Sequence, residues 1–200
     1  SIFKPHEKLQ NQIFEELKSR VIEDESSVPI VRGNFEYYSK FIPGKQYPVY
    51  LRRSLVDKKE TVLIDVNTDA QTHSYYESSG PIMSYDHSLM AFAFDTQGRR
   101  FYTIQIKDLS TGQLLPVKIE KAKANIIWSK DNRYLFYTKS HPDTLRTYQV
   151  YRFDIKEKTS TLVFEEADET FEAFIYQNLA KNFIFIISNS TLSTEVRYLK

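Results

Sequence analysis

The sequence predicts an all-β chain: a partial β-propeller of about three and a half four-stranded blades behind one N-terminal α-helix. Three observations carry this. Leu9, Ile13, Leu17 and Val21 recur at four-residue steps, with Phe14 and Ile22 widening the stripe and charged residues on the other faces, which is helical periodicity. From about residue 28 onward the chain turns to short runs rich in Tyr, Phe, Ile and Val, broken by Gly, Pro, Asn and Asp. Finally, a Ser-x-Asp string followed shortly by Leu occurs at Ser84 and again at Ser129, 45 residues on, and Leu179-Ala-Lys-Asn-Phe-Ile184 echoes it about 50 residues later.

The elements follow in order. The helix is predicted over residues 6–22, with Pro5 near its start, where a missing N–H is harmless. Strands are expected at 35–41 and 46–53, joined by Ile42-Pro-Gly-Lys45, and at 60–65. Asn67 to His73 is polar, a loop or a single helical turn. A second set comprises 90–94, 102–107 and 113–115; a third comprises 126–129, 134–138, 148–153 and 161–164; a fourth starts at Phe171 and runs through 182–187 to 195–198. This gives a helical segment, 1–26, and a propeller part, 27–200, with blades of roughly 27–66, 79–117, 124–165 and 171–200. Each such sheet is too small to bury both faces alone, and stacking blades around an axis buries them. On periodicity alone an ordinary antiparallel sandwich is the alternative. A closed ring needs at least about four blades. The repeat count and the Ser1-Ile-Phe start, without an initiator Met, therefore read as a piece of a larger ring.

Composition narrows the function classes. Among 200 residues, 27 Lys plus Arg face 26 Asp plus Glu, so nothing global recruits nucleic acid or an anionic membrane. The 14 Tyr and 14 Phe alternate within strands, as packing would place them. With no cysteine, disulfides, thiolate metal sites and cysteine nucleophiles are excluded. No apolar run approaches the roughly 18–20 residues of a transmembrane helix.

Motifs for chemistry are sparse. The five glycines never lie four apart, so the Gly-x-Ser-x-Gly nucleophile elbow is missing. His6, His73, His87 and His141 read as surface or loop residues, and no two histidines sit at metal-binding helical spacing. Glu165-Glu-Ala-Asp-Glu169 reads as a solvated connection, Asn189-Ser-Thr191 as a chance sequon, and Arg52-Arg53 and Arg99-Arg100 as surface charge. No catalytic residue, no metal site and no cofactor is expected in this chain.

The strings in order have a further meaning. They are Phe14-Glu-Glu-Leu-Lys-Ser-Arg20, Ser27-Val-Pro29, Gly33-x-x-x-Tyr-Tyr-Ser39, Gly44-Lys-Gln-Tyr-Pro-Val-Tyr50, Leu63-Ile-Asp-Val-Asn67 and His73-Ser74. Then come Lys107-Asp-Leu-x-Thr-Gly112, Trp128-x-x-Asp-Asn132, Leu135-Phe-Tyr137, His141-Pro-x-Thr-Leu145, Tyr148-x-Val-Tyr-Arg152 and Thr194-Glu-Val-Arg-Tyr-Leu199. Together they resemble, over essentially the whole chain, the N-terminal part of the oligopeptidase B group in the prolyl oligopeptidase family of serine peptidases. The resemblance implies a seven-bladed propeller capping a C-terminal α/β-hydrolase domain that this chain lacks. The catalytic serine, aspartate and histidine would lie in that domain. The intact cytoplasmic enzyme would cleave short peptides after Lys or Arg, with the propeller filtering substrates by size. The implied partners are that hydrolase domain and short basic peptides, with no nucleic acid and no membrane. One residue carries over: Arg100, after the Asp95-x-x-x-Arg-Arg turn, matches an arginine making charge contacts toward the hydrolase domain. The acidic residue that usually follows His-Ser is replaced by Tyr75, with Glu77 close by. A stand-alone propeller-like scaffold binding a protein or peptide is the alternative reading.

Overall fold

The computed structural model describes residues 4–199 and divides into two compact units, Ser1–Asp69 and Ala70–Lys200. In the first, a 3-10 turn at Lys4–His6 leads into α1, Glu7–Ser19. The apolar period of Leu9, Ile13 and Leu17 makes it helical, and Arg20 N–H closes its last turn on Leu17 O at 3.2 Å. It stops three residues short of the expected end, at Arg20 and before the acidic 23–25 run. No residue of α1 is buried.

The rest of this unit is one antiparallel sheet in chain order: β1 Ile30–Arg32, β2 Phe35–Lys40, β3 Val49–Ser54 and β4 Glu60–Asp65. Its tight corner at Gly33 needs the left-handed backbone, φ 57°, which glycine adopts without a Cβ penalty. Val49, Leu51, Leu63 and Ile64 are buried. A single helical turn, α2 Val66–Ala70, follows. Asp65 Oδ1 accepts its Asn67 N–H at 3.0 Å, and the Asn67 amide bonds both the N–H and the C=O of Tyr47.

The second unit carries eleven strands. β5 Glu77–Ser78 and β6 Ile82–Met83 both pair with β7 Leu89–Asp95. Together they occupy one edge of the sheet, interrupted at Gly80-Pro81. The ladder continues through β8 Tyr102–Asp108, β9 Leu114–Trp128, β10 Tyr134–Ser140, β11 Thr147–Asp154 and β12 Thr159–Glu165, every pair antiparallel. A separate sheet holds β13 Glu172–Gln177, β14 Ile184–Asn189 and β15 Thr194–Leu199. Antiparallel strand groups with local connections, stacked face to face, are the architecture of a partial β-propeller.

β9 differs from expectation. The sequence suggests a short outer strand at 113–115 and a new start near 124. Instead, one 15-residue strand closes one group against β8 and opens the next against β10. Residues 117–125 hold no Gly or Pro and no Asn-Gly or Asp-Gly pair, so nothing terminates the strand. It bends through bulges instead: its partner on β10 jumps from Ile126 opposite Tyr137 to Ala122 opposite Lys139, and Lys121 takes φ 55°.

Cores form between groups. Ala91, Ala93, Ile104, Ile106, Trp128 and Leu135 pack between the second and third groups. Ile127, Phe136, Val150, Ile175, Ile184 and Ile186 pack between the third and fourth. Trp128 Nε1 donates to Ile82 O at 2.9 Å, and Asn125 exchanges two 3.0 Å bonds with the backbone of Ile175.

The recurring string is a physical object. Leu89 N–H donates to Ser84 Oγ at 2.9 Å, Tyr134 N–H to Ser129 Oγ at 2.8 Å, and Phe183 N–H to Asn178 Oδ1 at 3.1 Å. Each turn has left-handed backbone at its fourth residue, His87, Asn132 and Lys181, with φ of 59°, 59° and 56°. The weak third echo is thus the same turn with Asn in place of Ser.

Candidate functional site around the Arg100 turn

β7 ends on Asp95, which is fully buried. Its Oδ1 accepts the N–H of Gln97 at 2.7 Å and of Gly98 at 3.1 Å; Oδ2 accepts that of Arg100 at 2.7 Å. One carboxylate therefore winds the whole turn, through Gly98 at φ 71° and Arg100 at φ 59°. The Tyr75 ring closes over it, lying 3.7 Å from where a Gly98 Cβ would stand. Tyr75 O–H donates to Glu77 at 2.8 Å. Tyr102 also bonds Glu77, and its phenol is pushed far above the ordinary range, first by burial and then by that carboxylate.

Arg100 itself is exposed and makes no ion pair among the described residues. Lys123, on β9, is half-buried; burial first, then the nearby Arg100, push its ammonium below the ordinary lysine value, while Glu172 pulls it back. Sequence reading missed Lys123 and Glu172, which lie on β9 and β13, strands far apart in the chain whose proximity no local signal announces. A guanidinium is always charged and presents a rigid fork to a carboxylate, so the chemistry available at Arg100 is the pairing of an anion and not proton transfer.

The other candidates lie elsewhere. Arg52 stacks on Phe35, its Cζ 4.4 Å from the ring centroid, and Arg53 pairs with Glu36 at 2.6 Å. His141 Nδ1 accepts the N–H of Asp143 and Thr144, which uses it as a turn former. His73 packs against Tyr76, and His87 occupies a repeat turn. Asn189 accepts Thr194 O–H at 2.6 Å within a hairpin. The 165–169 connection is solvated as expected, but sequence reading missed what holds it: Arg146 Nη1 donates to the carbonyls of Glu166, Asp168 and Phe171 at 3.4, 3.1 and 2.7 Å. Among the described residues no cluster of three or more His, Asp or Glu could hold a metal ion.

Comparison with known proteins agrees with this architecture. Residues 1–200 match the family model of the prolyl oligopeptidase N-terminal beta-propeller domain. The chain is 36% identical to dipeptidyl aminopeptidase BI of Pseudoxanthomonas mexicana, covering 98% of this chain and 30% of that protein. It is 33% identical to Protease 2 of Moraxella lacunata, covering 99% and 30%. Among solved structures, oligopeptidase B from Leishmania major superposes with a TM-score of 0.90 at 31% identity, over 96% of this chain and 28% of that one. The chain thus spans less than a third of the length of these relatives. With blade-like sheets, a common repeat turn and a family match over its full length, the chain belongs to the prolyl oligopeptidase family, as its N-terminal β-propeller domain.

Proposed function

We propose that this propeller serves a serine oligopeptidase of the oligopeptidase B type, which hydrolyses short peptides after Lys or Arg. The observation that supports it most is the 0.90 TM-score to the Leishmania enzyme over 96% of this chain, at 31% identity. In this reading the catalytic groups belong to a C-terminal α/β-hydrolase domain, and the propeller limits which peptides reach them. Arg100 contacts that domain through a carboxylate. Its rigid turn and lack of an ion pair leave it available, and Glu77 does not compete, being bonded by Tyr75 and Tyr102. The enzyme is cytoplasmic.

The test uses the full-length protein and N-acyl-blocked Arg and Lys amide reporters. Turnover of blocked short reporters, with folded proteins untouched, is expected. No turnover after Lys or Arg would refute the reading. A second reading, release of N-terminal dipeptides, is favoured by the 36% identity to dipeptidyl aminopeptidase BI; activity only on reporters with a free amino end selects it. If the reading frame stops at Lys200, a stand-alone binding scaffold replaces both.

A further inference from the structure

A second feature of β9 lies away from Arg100. N-terminal to the Ala122–Lys139 pair, β9 runs against β8 instead of β10, and its residues 116–120 wall one side of a depression of about 450 Å³. That lies within the range of small-molecule sites. Lys118, Lys139 and Lys158 line it, with Glu120, Tyr137 and Ser160. Three lysines and one glutamate give the lining residues a formal charge of +2, and Lys121 lies close to Lys139 as well.

Lys139 is the unusual member. It is half-buried, and no carboxylate pairs with it among the described residues. Its Nζ stands 4.9 Å from the Tyr151 ring centroid and 5.9 Å from that of Tyr137. Aromatic faces offset only part of the lost hydration of an ammonium. Burial first, then the nearby Lys121, push its ammonium below the ordinary lysine value. A protein that buries a lysine with more lysines around it is stabilised by an anion there. Ser160 adds a donor: its Oγ accepts Tyr137 O–H at 2.9 Å, so its own proton is directed elsewhere.

We infer that this depression is an oxyanion site, which takes a doubly charged phosphate group between Lys118, Lys139 and Lys158 with the Ser160 hydroxyl as a neutral donor. A doubly charged anion matches the formal charge of +2 on the lining residues. The apolar wall of Val117, Ile119 and Phe153 leaves room for a phosphate monoester as well as for free phosphate.

The test is calorimetric titration of the full-length protein at pH 7 and constant ionic strength, with inorganic phosphate and with phenyl phosphate as separate arms, and chloride as the control. Saturable binding of at least one is expected; tighter phenyl phosphate binding assigns the site to monoesters, and equal or tighter inorganic phosphate binding to the free ion. Lys139→Met, which keeps the stem over the rings, should weaken binding at least tenfold. Lys130→Gln, an exposed lysine outside the depression, should not change it. Should Lys139→Met not fold, the double variant Lys118→Gln/Lys158→Gln, at two exposed positions, should weaken binding at least fivefold. Absence of saturable binding, or binding unaltered in these variants, overturns the proposal.

Discussion

Asp95 and Arg100 sit five residues apart and should respond to mutation in opposite ways. Asp95→Ala strands three backbone N–H groups at a buried carboxylate position. It should destabilise the protein by about 2–3 kcal/mol, read as a fall in the urea midpoint. Arg100→Ala removes an exposed side chain and should move stability by no more than about 0.5 kcal/mol. In the full-length protein, under the peptidase reading proposed above, the same change should lower kcat/KM about two- to fivefold, the size of one lost exposed charge contact; unchanged kcat/KM would remove Arg100 from the proposed domain contact. The repeat turns set a pH response. The Ser129 hydroxyl, donating to Asp131, holds that carboxyl below its ordinary value. A carboxyl depressed in the folded state stabilises above its unfolded pKa, and the contribution is lost as pH falls through the folded value, here below about pH 4. Ser129→Ala brings Asp131 back toward the ordinary value, so stability should fall less steeply between about pH 4 and 2. Parallel acid limbs for the two proteins would contradict this.

At the level of elements, α1 and the 166–171 connection mark the two extremes. α1 has 13 residues, none buried, with Leu9, Ile13 and Leu17 all about half exposed. An isolated helix of this length is marginal in water. In the 200-residue chain alone its amides should exchange within the dead time of a hydrogen-exchange experiment, while those of β10 should be protected. The connection is restrained by Arg146, and Arg146→Ala should open it to proteolytic nicking between 166 and 171 without unfolding the sheets. Legibility in the sequence follows the same physics. The helix, the hairpins and the repeat turns were readable because local signals cause them: a four-residue apolar period, Pro-Gly corners, and a side-chain oxygen that captures an N–H five residues on. The fusion of two strands into β9 was not readable, since it depends on the lack of a stop signal and on bulges fixed by neighbours. Arg146 and Lys139 look like any surface cation until β-pairing between distant segments sets their surroundings. Arg100 was singled out only through family resemblance, because nothing local in the sequence distinguishes it from Arg99.

For the molecule as a whole, the last sheet decides behaviour in isolation. Ala173, Ile175, Ile184 and Ile186 face the third group and are buried. The alternate set, Phe174, Tyr176, Phe185, Ile187, Val196 and Tyr198, looks the other way, as the period of two demands. Phe174, Tyr176, Val196 and Tyr198 are exposed, Tyr198 at 65%. Phe183 joins this face, edge-on to Tyr198 at 5.6 Å, and Tyr176 stacks on Phe185 at 4.7 Å. Each large side chain left in water forgoes roughly 1.5–3 kcal/mol of burial. The 200-residue chain alone should therefore self-associate in sedimentation runs, and Val196→Lys/Tyr198→Lys should reduce it. A compact monomer at high concentration would show that this face tolerates water. The same preparation should not turn over an Arg amide reporter, for want of a nucleophile elbow.

The continuous strand β9 also governs where this chain can be rewired. An ordinary propeller offers a cut at every blade boundary, because the link there is a surface loop. Here one such boundary lies inside a single strand, whose first part pairs with β8 and whose last part pairs with β10. New chain ends or an inserted domain at Ala122, the residue paired in both ladders, would disturb the end of each. The hairpin tips at 109–112 and 155–158 should accept the same surgery. Duplication or deletion should therefore move the second and third groups as a pair.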